Sequence, residues 1–115
     1  MYKIVQEYDD EYFSFNSYPG EKHIDIGICR EYRLGEWTRP KEGNGPLCVF
    51  GLLEDAEQFM DVYGESNCYI FECEIVPSDE KTVWVNSENF AKWDVRVDFP
   101  ATHYASAVKL TKLVV

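Results

Sequence analysis

The segment from Tyr32 to Arg39 contains the residues of this chain that are best suited to bind another molecule. It ends in Trp37, Thr38 and Arg39, so aromatic and cationic side chains follow one another in a stretch rich in turn residues. Tryptophan and arginine are enriched among the residues that dominate protein–protein binding energies. We therefore predict that Tyr32, Trp37, Thr38 and Arg39 form a binding surface. The competing interpretation is that Trp37 closes one end of the hydrophobic core.

A second candidate surface is acidic. Asp9 and Asp10 are flanked by Glu7 and Glu11, and the two aspartates separate two strand-like runs. Carboxylates on an exposed hairpin could contact a protein rich in lysine and arginine. If these carboxylates imitate phosphates, the contacted protein would be one that binds nucleic acid. We predict Asp9 and Asp10 as binding residues, although such a run is also typical of a solvated turn.

The sequence contains no specific catalytic motif. Its two histidines, His23 and His103, are not accompanied by a nucleophile motif such as Gly-x-Ser-x-Gly, and no glycine-rich phosphate loop occurs. With 21 acidic residues, pairs of carboxylates are unavoidable and carry no information about catalysis. We predict no catalytic residue and favour a role other than that of an enzyme.

The four cysteines, Cys29, Cys48, Cys68 and Cys73, each lie within an apolar, strand-like run. Zinc sites usually draw on closely spaced pairs of ligands at turns, and these positions lack that pattern. Cys68 and Cys73 are five residues apart, which places them on opposite faces of a strand and disfavours a disulfide. We predict buried, reduced thiols, with no metal and no cofactor.

The charge balance of the chain restricts its partners. It carries 21 acidic and 11 basic residues, for a formal net charge of −10. A field of this sign repels phosphate backbones and anionic lipid surfaces, so we predict no direct binding to nucleic acid and none to membranes. A basic protein is the expected partner, although high charge also serves solubility. The run from Met1 to Val5 is strand-like rather than a secretion signal, and no apolar window of about 18 residues occurs, which predicts a cytoplasmic protein.

Length and periodicity predict one compact domain, residues 1–115, with a single main helix. The 18 aromatic side chains supply enough apolar surface for one core. Apolar residues fall at helical spacing between Leu53 and Tyr63, and Gly64 is placed to end the helix. We therefore predict an amphipathic surface helix at about residues 53–63.

Alternating apolar and polar residues predict several strands, of which the clearest spans 67–76 and turns Glu72 and Glu74 toward water. Further strands are predicted at 2–7, 11–16, 46–50, 82–85, 94–99 and 107–115, with a turn of helix at 86–91. The region 24–34 is predicted to hold either one strand broken at Gly27 or a loop followed by a strand. Because strands outnumber helices and the connections are short, the predicted fold is α+β, with the helix packed on a mainly antiparallel, curved sheet.

Short motifs in the middle and at the end of the chain resemble those of small uncharacterised proteins of bacteriophages and prophages. These motifs are Tyr32-x-x-Gly35-x-x-Thr38, then Leu47-Cys48-Val49-Phe50 with Ala56 in the following helix, and Pro100-Ala101-Thr102-x-x-Ala105-x-x-Val108-x-Leu110. The resemblance implies a compact α+β domain from a mobile element. Small acidic proteins of such elements often bind and inhibit host defence proteins.

The architecture also resembles reduced ADP-ribosyltransferase-like domains, in which a split sheet binds a nicotinamide dinucleotide. The residues that this resemblance implies are His23 or Arg30 near the start of the site, Tyr32 and Trp37 for stacking, and Glu72 or Glu74 as the catalytic glutamate. Strand alternation by itself explains both glutamates as a solvated face. The favoured function is thus a small acidic protein-binding module that inhibits a host protein. The alternative is an NAD- or nucleotide-binding domain, active or degenerate. A third possibility is a structural component of a virion, which exposed strand edges and self-association would indicate.

Overall fold

The computed structural model describes residues 1–15, 30–40, 46–81, 83–86, 91–93, 96 and 100–115, with the backbone alone at 83–86 and 91–93. The described elements, in chain order, are β1 (Tyr2–Tyr8), β2 (Glu11–Ser14), β3 (Glu31–Tyr32), β4 (Trp37–Thr38), β5 (Leu47–Phe50), α1 (Leu53–Tyr63), β6 (Cys68–Pro77), β7 (Val83–Asn86), β8 (Ala91–Trp93) and β9 (Thr102–Leu113). β7 and β8 form a separate two-stranded antiparallel sheet, and the other strands form one sheet.

Four strands of the main sheet form a closed ring, in which each strand is hydrogen-bonded to the next. β1 pairs with β6, β6 with β9 and β9 with β5, and β5 returns to β1 where Phe50 is opposite Tyr2. The remaining strands, β2, β3 and β4, lie beside the ring, and we call them the arc. β2 pairs with both β1 and β3, and β4 pairs with β9. All of these pairs are antiparallel, so the predicted mainly antiparallel, curved sheet is confirmed. In the described part of the chain it is accompanied by one α-helix, α1.

The two faces of this sheet have separate hydrophobic cores. Alternation along β1 turns Val5 into the ring and Ile4 outward, and β6 does the same with Phe71 and Ile70. The interior core consists of Val5, Tyr32, Leu47, Val49, Phe71, Cys73, Ala105, Val108 and Leu110. Since these residues come from β1, β3, β5, β6 and β9, the interior core connects the ring to the arc.

Helix α1 covers the outer face of the ring. Its Ala56 is fully buried against Ile4 and Ile70. The ring of Phe59 packs against that of Phe50 with the centroids 5.4 Å apart. The apolar stripe that predicts the helix at 53–63 is therefore its packing face, and the predicted bounds are confirmed.

Local chemistry sets both ends of α1. Glu54 and Asp55 lie in its first turn, where carboxylates complement the positive end of the helix dipole. At the other end the amide of Gly64 donates a 2.8 Å hydrogen bond to the carbonyl of Met60. A Cβ atom at Gly64 would lie 2.5 Å from that same oxygen, so the position requires glycine.

Several predicted boundaries are wrong. The strand predicted within 24–34 ends at Tyr32, because the chain turns at Leu34 and Gly35, and β2 ends at Ser14 rather than at 16. β9 begins at Thr102 rather than at 107, because Ala105 and Ala107, which are poor strand formers, obscure the alternation in its first half. Ala91 begins strand β8 rather than ending a helical turn, because β8 is defined by its pairing with β7. The predictions for 17–29, for 43–45 and for most of 94–99 lie outside the described residues, as do His23 and Cys29.

Candidate functional site

The tip of the β1–β2 hairpin is a tight turn made of two aspartates. Tyr8 pairs with Glu11, so Asp9 and Asp10 alone form the connection. Both have positive φ, 52° and 66°, as the commonest two-residue hairpin turn requires, and aspartate tolerates this conformation better than most residues. Both aspartates are exposed. The predicted acidic tip is therefore accessible to a partner.

A second turn connects β3 to β4. Gly35 adopts φ 79°, and the amide of Glu36 donates to the carbonyl of Arg33 at 3.0 Å. The amide of Gly35 donates to the carbonyl of Leu110 in β9 at 2.8 Å, which fixes the turn to the ring. Leu34, at the tip of this turn, is 59% exposed.

A surface cavity of about 310 Å³ lies where these two turns meet. Its lining residues are Asp10, Glu11, Tyr12, Glu31, Tyr32, Arg33 and Leu34. We call it the acid-rimmed cavity. It brings together Asp10 and Tyr32, two of the residues that the sequence predicts for binding, although they lie in different segments of the chain.

Carboxylates outnumber cations in the acid-rimmed cavity. Arg33 Nε donates to Glu31 Oε2 at 2.7 Å. This hydrogen bond, the charge of Glu31 and then the charges of Glu36 and Glu11 raise the pKa of Arg33. Asp10 and Glu11 form no ion pair with any described residue. The cavity therefore has negative charge available for a cationic ligand.

Trp37 lies on the surface of β4, beside β9. It is directly opposite Lys109, whose Nζ lies 5.2 Å from the centroid of a Trp37 ring and 2.8 Å from Glu74 Oε2. The cation–π contact and the ion pair orient the indole, while 41% of Trp37 stays exposed. An aromatic side chain that is both oriented and accessible is suited to anchor an interface.

The other predicted binding residues of this segment differ in accessibility. Tyr32 is 1% exposed, and Thr38 is buried with its Oγ1 donating to the carbonyl of Glu31 at 3.1 Å. Arg39 is exposed, and its carbonyl accepts a 3.0 Å hydrogen bond from Arg30 Nε. A partner can therefore reach the side chains of Trp37 and Arg39. Tyr32 and Thr38 are buried beneath this surface and are not accessible to a partner.

Lys3 is an interior residue that the sequence predictions missed. It is 7% exposed, and its Nζ donates to the carbonyl of Cys48 at 2.7 Å and lies 5.2 Å from the centroid of the Tyr32 ring. Among the described residues no carboxylate forms an ion pair with Lys3, and the buried hydroxyl of Tyr32 has no hydrogen-bond partner. The sequence indicates the burial of Lys3 through the alternation of β1, which places Lys3 on the same face as Val5.

The described cysteines are structural thiols. Cys68 and Cys73 are buried, as predicted, whereas Cys48 is only half-buried, and all three are free thiols. Burial raises the pKa of Cys73 to about 11 and also raises the pKa values of Cys48 and Cys68. Thiols in this state are poor nucleophiles at neutral pH. Within the described ranges, no three histidine, cysteine or acidic side chains lie close enough together to bind a metal ion.

The residues implied by the ADP-ribosyltransferase resemblance do not form one site in the described part of the chain. Glu72 and Glu74 are on the solvent face of β6, as alternation predicts. On that surface Lys109 contacts both Glu74 and Trp37. The side chain of Tyr32, in contrast, lies in the interior core. A stacking tyrosine and a catalytic glutamate would therefore be on different faces of the sheet.

The described part of the chain contains no helix with the length and apolar character needed to cross a bilayer. The chain matches no protein-family model, no curated protein and no solved structure.

Proposed function

We propose that this protein is a small acidic module that binds a basic segment of another protein at the acid-rimmed cavity. The observation that carries this proposal is the meeting of Asp10, Glu11 and Glu31 around a cavity of about 310 Å³. A lysine or arginine side chain would enter the cavity and face Asp10 and Glu11, because Arg33, the cation that lines the cavity, is already paired with Glu31. Leu34 and Trp37, both exposed, would contact apolar side chains of the same partner.

The net charge of −10 supports this proposal because it accelerates encounters with a basic protein and discourages encounters with nucleic acid. The resemblance to small phage and prophage proteins supports a finer proposal. The bound protein would be a host protein, such as a defence protein, that this module inhibits in the cytoplasm.

Neutralising the cavity is expected to weaken binding. Asp10→Asn with Glu11→Gln removes two charges, and asparagine preserves the left-handed turn. We expect the affinity for a partner captured from host lysate to fall about tenfold, or about 1.4 kcal/mol. Trp37→Ala should cause a comparable loss. Isothermal titration calorimetry with the purified partner measures both.

Asp79→Asn with Glu80→Gln is the matched control, because it removes two exposed charges from the loop after β6. Its affinity should stay within about twofold of the wild type. Equal losses for the two double variants would show that only overall charge matters and would contradict the proposal.

A thermal-shift screen against NAD, ADP-ribose and common nucleotides separates this proposal from the nucleotide-binding alternative. A nucleotide-binding domain would be stabilised by about 1–3 kcal/mol at ligand concentrations of about 10–100 times the dissociation constant. We expect no shift, because Tyr32, one of the two candidate stacking residues, lies in the interior core, whereas Trp37, Glu72 and Glu74 are on the solvent face. A shift that Trp37→Ala and Glu72→Gln both abolish would favour the alternative.

A further inference from the structure

A second surface lies on the outer face of the ring, along helix α1. A groove of about 320 Å³ runs between α1 and the turn before β9. Its lining residues are Phe50, Asp55, Gln58, Phe59, Val62, Tyr63, Pro100 and Ala101. Val62 is 72% exposed and Tyr63 is 52% exposed, so the C-terminal half of the helix places apolar surface in solvent. We call this surface the helix groove.

The described charged residues that line the helix groove or lie on helix α1 are all acidic. Residues 46–80 include nine aspartates and glutamates but no lysine, arginine or histidine. Asp55 lies in the groove itself, and Glu54, Glu57 and Asp61 are exposed on the same helix. Asp55 forms no ion pair with any described residue. An apolar groove with an unneutralised acidic border complements a ligand that is both apolar and cationic.

We propose that the helix groove docks an amphipathic basic segment of a partner protein. An apolar side chain of that segment would lie between Val62 and Ala101, and its lysines or arginines would face Asp55 and the exposed acids of α1. A second copy of this chain is a poorer occupant, because two molecules with a net charge of −10 repel each other on contact. This surface is separate from the acid-rimmed cavity, with which it shares no lining residue.

The test uses a synthetic helical peptide of about 18 residues, with leucines along one face and lysines elsewhere, titrated into the ¹⁵N-labelled protein at about 0.15 M salt. Saturable chemical-shift changes should map to residues 55–63 and 100–101. Val62→Ser should weaken binding about tenfold and Asp55→Asn about threefold. Trp37→Ala should leave this binding unchanged, so a failure of the proposed function would be recognised separately.

Matched controls are Val76→Ser and Asp79→Asn, which make the same changes at exposed positions outside the groove and should alter binding less than about twofold. The proposal is overturned if the groove variants bind like these controls, if a peptide with glutamate in place of lysine binds equally well, or if the lysine peptide shows no saturable binding. Sedimentation that reveals a dimer, lost in Val62→Ser, would identify a second copy as the occupant and would also overturn it.

Discussion

Replacing Tyr32 by alanine is expected to lower the free energy of unfolding by about 3–5 kcal/mol, the range for removing a large buried aromatic side chain. Tyr32 is 1% exposed and belongs to a strand of only two residues. Its ring packs into the core formed by β1, β5, β6 and β9, so its loss would open a cavity and loosen the arc. Urea denaturation followed by circular dichroism measures the change.

Tyr32→Phe is the informative companion, because it keeps the ring and removes only the hydroxyl. A buried hydroxyl without a hydrogen-bond partner costs desolvation energy. We therefore expect Tyr32→Phe to raise the free energy of unfolding by about 1 kcal/mol. A loss of stability instead would mean that the hydroxyl makes a favourable contact inside the ring.

Reversing the charge of Lys3 is expected to be the second severe change. In Lys3→Glu a carboxylate would lie near the carbonyl oxygen of Cys48 and the electron-rich face of Tyr32, in place of an ammonium that both attract. Among the described residues, the interior core contains no other cation that could pair with the new carboxylate. We expect a loss of about 3 kcal/mol or more, the scale of an uncompensated buried charge.

Lys112→Glu is the control for Lys3→Glu, since it changes the net charge by the same amount at an exposed position of β9. It places a glutamate opposite Glu72, and we expect a loss below about 1 kcal/mol. Lys3→Met, which keeps the aliphatic stem, should cost much less than Lys3→Glu. Similar losses for Lys3→Glu and Lys112→Glu in urea denaturation would show that Lys3 does not act as an interior residue.

Periodicity was sufficient to predict the elements whose packing is local. The stripe that includes Ala56 and Phe59 predicts α1, and Gly64 marks its end because only glycine fits beside Met60. Alternation predicts β6 and assigns Glu72 and Glu74 to solvent. In each case one element buries one face, so the pattern in a single segment contains the necessary information.

Features that depend on distant segments were not predictable in the same way. The acid-rimmed cavity exists because the turn at Asp9 and Asp10 meets the turn at Leu34, and no local pattern specifies that meeting. The burial of Tyr32 likewise depends on its packing against residues of β1, β5, β6 and β9, which are distant in sequence. The alternation before Tyr32 did not show which face of the strand would be covered, so its residue type favoured the prediction of a binding residue rather than a core residue.

Closure of the ring also determines when the protein can fold during synthesis. β5 and β6 both pair with β9, so neither is covered on that side until residues 102–113 have left the ribosome. Unpaired strand edges promote pairing between different chains, which are crowded on a polysome. By then the acid-rich stretch 46–80 has already emerged, and its repulsion would keep neighbouring nascent chains apart while those edges are open.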